Sequence, residues 1–485
     1  MSDRADVVIV GMGTSGEDVG LRLAEAGIDV VGIEPELLGG ECAYWACIPS
    51  KMMIRAAKLL QEARRVNGTA GLAQVTPDWG QVARRIRVEA SGDWDDSVAV
   101  ARFEGKGGRF VRGRGMLTGP CTVTVGGRSF TASHGVVIST GSIPAIPSIP
   151  GLAEVDYWTT HDAIKVESLP SSIIVLGGGA VGCELAQVFS RFGVEVTIVE
   201  AQDRLLPSEE PEASAVLSSA LTAEGIETHT GARVELVEGS GGPFRVTLEG
   251  PTKLTADRLL VVTGRTANLA GLGLEAAGID GSSGFIPVDG HLRAAEGIWA
   301  IGDVTAKGMF THTALYQASI VTAQLLGEKA SPADYRSLPR VTFTDPEVGS
   351  VGLTEADARR AGLDVVVIVK DVPASFRGWL HGPGNDGIVK LVADRATDTL
   401  VGATAVGPQG GEVLGLLAAA VHARVPIERL REMIYAFPTF HGAIGEALGA
   451  YASGIGKVLD PTFDPLTPST AGNPSRASEG PPTSR

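Results

Sequence analysis

Cysteine is scarce, four of 485 residues, too few for a secreted scaffold held together by disulfides. Positive charge is in deficit. Against 56 Asp and Glu stand 41 Lys and Arg, a formal net charge of −15, which makes the chain a poor general polyanion binder. Nucleic acid is therefore not an expected partner. No apolar run is long and proline-free enough to span a bilayer, so no membrane partner is expected either. The uncharged stretch 135–153 holds Pro144, Pro147 and Pro150 and reads as a loop. The chain passes almost at once into a strand-like run, Asp6-Val7-Val8-Ile9-Val10, which leaves no room for a secretory signal. These absences together point to a cytoplasmic protein. With 44% hydrophobic and 20% charged residues, global disorder is excluded as well.

The surplus is glycine, 64 of 485 residues or about 13%, against a usual value of about 7%. There is no Gly-x-y period, so the excess belongs to turns that grip phosphate-bearing groups. Two segments repeat one pattern. Asp6–Gly16 is a strand-like run ending in Gly11-x-Gly13-x-Ser15-Gly16, followed by a helix-like stretch and a strand closing on Glu34. Ser172–Gly182 ends in Gly177-x-Gly179-x-x-Gly182 and leads likewise to Glu200. In both copies the acid lies 18 positions after the third glycine and 23 after the first.

One such loop is weak support for a dinucleotide site; two, each between strand and helix with its acid in place, are strong. The first glycine permits the tight turn, the second lets a pyrophosphate approach, and the third lets helix pack on strand. The helix N-terminus then meets the phosphate charge, and Glu34 and Glu200 would accept from ribose hydroxyls. Two sites imply two different cofactors.

Elsewhere, 51–100 reads as helical and 105–133 as a small antiparallel sheet. A strand is expected at 388–393 and a helix at 411–423. The segment 461–485, rich in Pro, Ser, Thr and Gly, has little to pack. At roughly 150 residues per domain, the length suits about three domains.

Gly39-Gly40-Glu41-Cys42-Ala-Tyr44-Trp45-Ala46-Cys47-Ile-Pro-Ser-Lys51 carries the chemistry. Two cysteines this close can bridge at a helix start, where the N-terminus favours thiolate, and Lys51 adds charge one turn on. Zinc would need two more ligands. Cys121 and Cys183 lie outside any metal-ligand spacing and read as inert core residues, so no metal site is expected.

This segment, with Thr140-Gly141-Ser142, Gly264-Arg265 and Gly302-Asp303, resembles the pyridine nucleotide-disulfide oxidoreductases, the flavoproteins that include dihydrolipoamide dehydrogenase, glutathione reductase and mercuric reductase. The resemblance covers about residues 5–455. It implies an α/β chain with two Rossmann-like dinucleotide-binding domains and a C-terminal α+β dimerisation domain. FAD-binding parts are expected at 1–150 and 271–338, an NAD(P)-binding domain at 151–270, a dimerisation domain at 339–460 and a tail at 461–485.

On the same resemblance FAD is held by Gly11, Gly13, Ser15, Gly16, Glu34, Gly40, Lys51, Thr140, Gly141, Gly302 and Asp303. NADH, in preference to NADPH, is held by Gly177, Gly179, Gly182, Glu200 and Gly264. Cys47 is implied as the flavin-proximal thiol and Cys42 as the thiol that meets substrate. Lys51 is implied near the flavin, paired with Glu184, for which a surface helix acid is the rival reading. A homodimer is implied.

The chain departs from the family in one place that matters. Disulfide-reducing members carry HPTxxE near the C-terminus, whose His is the acid–base group; here Phe437-Pro-Thr-Phe-His441-Gly442 puts Phe in the His position and Gly in the Glu position. His441 and Glu446 are either replacements or bland neighbours. Tyr44 and Trp45 between the cysteines either pack or stack a flat acceptor. Three readings follow: reduction of a disulfide (or its reverse), reduction of a quinone or metal ion without that His, and a low-turnover redox sensor.

Overall fold

The computed structural model describes residues 2–239 and 242–452; the 461–485 tail lies outside the described residues. Strand β1 (Ser2–Val10) has both faces covered: Val8 and Val10 pack into one core cluster, Val7 and Ile9 into another. This is the alternation of a central strand in a doubly covered sheet. It pairs in parallel with β2 (Val30–Glu34) and with the strand Arg128–Ile138. Helix α1 (Thr14–Glu25) connects β1 to β2 and buries Val19 and Leu23. The edge strand Arg109–Arg112 and, on the other side, Ile298–Ala300 extend the parallel order.

The reading of 105–133 as a separate antiparallel sheet needs correction. Arg109–Arg112 belongs to the parallel sheet, and Met116–Gly119, Thr122–Val125 and the start of Arg128–Ile138 pair antiparallel in turn. Arg128–Ile138 serves both: its first residues pair with Thr122–Val125 on one side, while from Ser129 to Ile138 it pairs in parallel with β1, and its last residues with Ile298–Ala300. Local alternation reports the hairpin and cannot report which strand continues into another layer. The 135–153 stretch likewise is loop only in part, since it begins inside this strand and contains Ser142–Pro144. Cys121 sits in the hairpin turn at φ +53°, between strands.

A second, four-stranded parallel sheet runs Glu227–His229, Glu195–Val199, Ser172–Leu176, Arg258–Val261. Two crossing segments join the sheets and pair with each other antiparallel: Ser142–Pro144 with Arg265–Ala267. A five-stranded antiparallel sheet follows, ordered Pro339–Thr342, Glu347–Gly352, Thr399–Gly407, Ile388–Asp394, Val365–Asp371. Gly410–His422 and Gly442–Ala452 pack on it. Among the described residues no helix is long and apolar enough to cross a membrane.

Lys390, 1% exposed in Ile388–Asp394, ties this sheet to the second one. Its Nζ lies 2.9 Å from Glu210, 2.8 Å from Glu212 and 3.0 Å from Glu355. Removing the cation leaves three carboxylates facing one another with little water. Lys390→Met is expected to cost about 3–5 kcal/mol of stability. A denaturant midpoint unchanged from wild type would contradict this.

Candidate active site

The two glycine loops are built alike. Gly11 has φ +95°, and a Cβ there would lie 2.3 Å from the carbonyl oxygen of Ser139; Gly177 has φ +116°, with the carbonyl of Val262 at 2.4 Å. A Cβ on Gly16 or Gly182 would strike the carbonyl of Gly11 or Gly177, at 2.0 and 1.9 Å. The middle glycines differ: a Cβ on Gly13 or Gly179 would meet nothing within 4 Å. So the first and third glycines are fixed by packing, while the second faces open space at a helix N-terminus, the place where a pyrophosphate would approach. Beside the second loop a cleft of about 750 Å³ is lined by Gly177, Gly179, Glu200, Gln202, Arg233 and Gly264.

Glu34 and Glu200 also brace their own loops. Glu34 accepts from the N–H of Met12 at 2.8 Å and of Glu36 at 3.0 Å. Glu200 accepts from Gly178 and Gln202, both at 2.7 Å. Burial pushes the Glu34 carboxyl up despite these bonds. Each carboxylate oxygen keeps a second lone pair for a ribose hydroxyl.

Around the first loop, Ser15 and Ser139 share a hydrogen bond at 2.8 Å, Thr140 donates to the carbonyl of Asn268, and Gly141 turns at φ +70°. Gly40, at φ +62°, packs so close that a Cβ would lie 2.8 Å from the Cα of Gly13. Gly302 donates its N–H to Gln317 at 2.6 Å, and Asp303 accepts from Ser142 at 2.5 Å. Burial raises the Asp303 carboxyl, and the Ser142 hydrogen bond opposes it.

Cys42 lies in the short helix α2 (Gly40–Tyr44), and Cys47 opens the 19-residue helix α3 (Cys47–Arg65). The helical reading of 51–100 thus holds only to Arg65 as one element. Both thiols are free and half-buried. Each acts on the other: Cys47 holds the Cys42 thiol down at about 6, while Cys42 and burial push Cys47 up. Thr311, at the start of the helix Thr311–Leu325, places its Oγ1 3.2 Å from Cys47 Sγ.

From α3, Lys51 reaches Glu184 at 2.8 Å. Glu184 is 5% exposed and accepts the N–H of Phe343 with its other oxygen at 2.8 Å, so it is not a surface helix acid. Cys183 is fully buried, and burial pushes its thiol up, while Cys121 is half-exposed.

Sequence reasoning did not single out Thr311, nor a cluster built on the redox segment itself. His161, in the helix Thr160–Lys165, has Nε2 2.7 Å from Glu41 Oε1 and stacks on Trp45 at 4.4 Å between centroids. Trp45 stacks in turn on Trp94 at 5.7 Å, and Lys165 lies over Trp45 at 4.6 Å. Trp45 therefore packs. Arg265 lies 3.3 Å from Glu41 and 2.7 Å from Ser142 Oγ, which continues to Asp303. Trp45 was visible as an aromatic between the cysteines; Glu41 was not singled out, nor was its partner, 120 residues away.

At the far end Phe437 is 74% exposed, edge-on to Phe376 at 5.2 Å. Among the described residues the His441 ring has a ring neighbour in Tyr435 at 6.3 Å and no side-chain hydrogen bond or ion pair, while Glu446 pairs with Lys370 at 3.1 Å. The two candidate replacements are not brought together.

The family profile described as pyridine nucleotide-disulphide oxidoreductase matches residues 5–318, and its dimerisation-domain profile matches 338–448. A dihydrolipoyl dehydrogenase of Chlorobaculum tepidum is 35% identical over 457 residues, covering 91% of this chain and 96% of the relative. A mercuric reductase of Staphylococcus aureus is 32% identical over 440 residues, 88% of this chain and 79% of the relative. The copper(II) complex of the HOCl-induced flavoprotein disulfide reductase RclA from Escherichia coli superposes with TM-score 0.82 at 27% identity, covering 92% and 99% of the two chains. With paired glycine loops, two free thiols at adjoining helix ends and matches along nearly all the described chain, the protein belongs to the pyridine nucleotide-disulphide oxidoreductase family, oxidoreductases that use FAD and NAD(P)H.

Proposed function

We propose that this chain passes electrons from NADH to a thiol- or disulfide-type acceptor through Cys42 and Cys47. The observation that carries the reading is the pair of free thiols, Cys42 in the short helix and Cys47 at the head of the next, with the Lys51–Glu184 ion pair one turn on. FAD bound at the first loop would supply hydride acceptance from the nicotinamide and two-electron delivery to the disulfide. The residues of the chain do the rest. Gly13 would leave room for the pyrophosphate, Ser142, itself held by Arg265, fixes the Asp303 carboxylate that would bind FAD, and Glu184 fixes Lys51. Cys42, held near 6, is the thiolate that attacks an acceptor at neutral pH. Cys47, beside Thr311, would be the sulfur that takes electrons from bound FAD.

The same reading divides the chain into FAD-binding parts at 1–150 and 271–338, an NAD(P)-binding domain at 151–270 and a dimerisation domain at 339–460. It makes the protein a cytoplasmic homodimer. Phe376, Trp379, Leu380, Ile434 and Phe437 are all more than half exposed, which supports a covering partner on this face.

A second reading has its own support. Phe437 stands where the acid–base His is expected, and RclA, by its description, binds copper(II). An acceptor that needs no such proton, a quinone or a metal ion, fits this departure. NADH oxidation measured against a panel of disulfides, quinones and metal ions separates the readings, and failure with every disulfide would overturn the first.

NADH is favoured because Glu200, fixed by two backbone N–H groups, repels a 2′-phosphate. Arg204, held by the carbonyls of Pro207 and Glu209, keeps its charge and is the group that would soften this preference. Arg233 is the exposed cation of the same cleft. Glu200→Gln is expected to shift the specificity-constant ratio toward NADPH by roughly tenfold, about 1.4 kcal/mol. A wild-type enzyme that already prefers NADPH would sink the assignment.

A further inference from the structure

Gln317, in the helix Thr311–Leu325, is fully buried, and both ends of its amide are committed. Its Oε1 accepts the N–H of Gly302 at 2.6 Å. A backbone N–H can only donate, so this contact fixes which way round the amide lies. The Nε2 end then donates to Thr305 Oγ1 at 3.3 Å and to the hydroxyl of Tyr335 at 2.9 Å. Thr305 in turn donates its hydroxyl to the carbonyl of Gly302 at 2.9 Å. Gly302, Gln317 and Thr305, all three buried, thus close a ring of hydrogen bonds.

The ring encloses a turn whose backbone is costly to hold. Gly302 opens it at φ +78°, and Ala306, just past its end, is also left-handed at φ +52°, where a side chain is unfavourable. A Cβ on Gly302 would lie 3.3 Å from Ser15 Oγ, so the turn rests against the first glycine loop. The next residue, Asp303, accepts from Ser142 at 2.5 Å. The direction of the Gly302 peptide therefore decides where the Asp303 carboxylate stands relative to that loop. We propose that Gln317 is a positioning residue for FAD: it holds the Gly302–Thr305 turn so that Asp303 is presented to the cofactor, with Tyr335 as its outer anchor.

Tyr335 gives this network its reach. It lies between the helix of Gln317 and the strand Pro339–Thr342, which opens the five-stranded sheet. Its ring is edge-on to Tyr316 at 6.2 Å, and the Tyr316 hydroxyl accepts the N–H of Asp334 at 2.9 Å. The connecting stretch is thus strapped to one helix at two neighbouring points, and one of them leads through Gln317 to the turn. The grip on FAD is thereby tied to the segment that enters the next domain. The proposal rests on reading Asp303 as an FAD-binding residue, and its test needs neither NADH nor an acceptor.

Holoenzyme is diluted into flavin-free buffer, and release of FAD is followed by the rise in flavin fluorescence. Gln317→Leu keeps the bulk and leaves the Gly302 N–H unpaired in the interior, so release is expected to be roughly tenfold faster than in wild type. Tyr335→Phe removes only the outer anchor and should raise the rate about threefold. Gln317→Glu keeps the oxygen that Gly302 needs, so it is expected to release FAD more slowly than Gln317→Leu. A helix merely loosened in its core would lose FAD equally from both. Asp303→Asn tests the underlying reading, since its carboxylate lies outside the ring. Wild-type release from Gln317→Leu and Tyr335→Phe, with faster release from Asp303→Asn, would overturn the proposal and leave the FAD site standing. Wild-type release from Asp303→Asn would remove the reading of the site, and the proposal with it.

Discussion

Turnover of glutathione- or lipoamide-type disulfides is expected to be slow in the wild-type protein while electron uptake from NADH stays fast. When a Cys42 thiolate attacks a disulfide, the substrate S–S bond breaks and one sulfur leaves as a thiolate that needs a proton. General acid–base help at such a step is worth roughly 100- to 10,000-fold. Phe437 has no proton to give, and its ring is engaged edge-on with Phe376. His441 lacks a carboxylate to orient it, since Glu446 is paired with Lys370.

The paired change Phe437→His with Gly442→Glu should raise disulfide turnover by roughly tenfold or more. Gly442 can accept a side chain: a Cβ there would have Thr439 Oγ1 as its nearest neighbour, at an ordinary 3.4 Å. It also opens the helix Gly442–Ala452, where a carboxylate is favoured by the dipole. If His441 has assumed the role, the wild type reduces disulfides well and His441→Ala abolishes it. Fast disulfide reduction that survives His441→Ala would sink both versions.

Loss of either redox cysteine should separate two functions. Cys42→Ser is expected to reduce disulfide turnover to background while reduction by NADH continues, because the sulfur that meets the acceptor is gone. Cys47→Ser is expected to remove the long-wavelength absorption band that a thiolate beside oxidised flavin gives after two-electron reduction. The reason is placement: Cys47 heads α3 and touches Thr311, on the helix that follows Gly302 and Asp303. A band that persists in Cys47→Ser would assign the donor to Cys42 instead.

Much of this was legible in the chain because the physics is local. The roles of Gly11, Gly13 and Gly16, repeated by Gly177, Gly179 and Gly182, follow from a strand turning into a helix within six residues, and such a turn leaves its mark in spacing. The same holds for Cys42 and Cys47. The pairing of Lys51 with Glu184 spans 133 residues and came only through resemblance to a family.

The hairpin at Met116–Val125 was readable from alternation, whereas its strand's continuation into the parallel sheet was not. Period-2 patterning describes one strand's faces and says nothing about its neighbours. Trp45 stood out as an aromatic between the cysteines, but what it and Glu41 hold was decided in three dimensions. His161 lies 120 residues from Glu41, and Thr311 lies 264 from Cys47. Neither contact has a period or a motif to announce it. Each arises because separate elements, packed to bury their own apolar faces, bring polar side chains together at the seams between them.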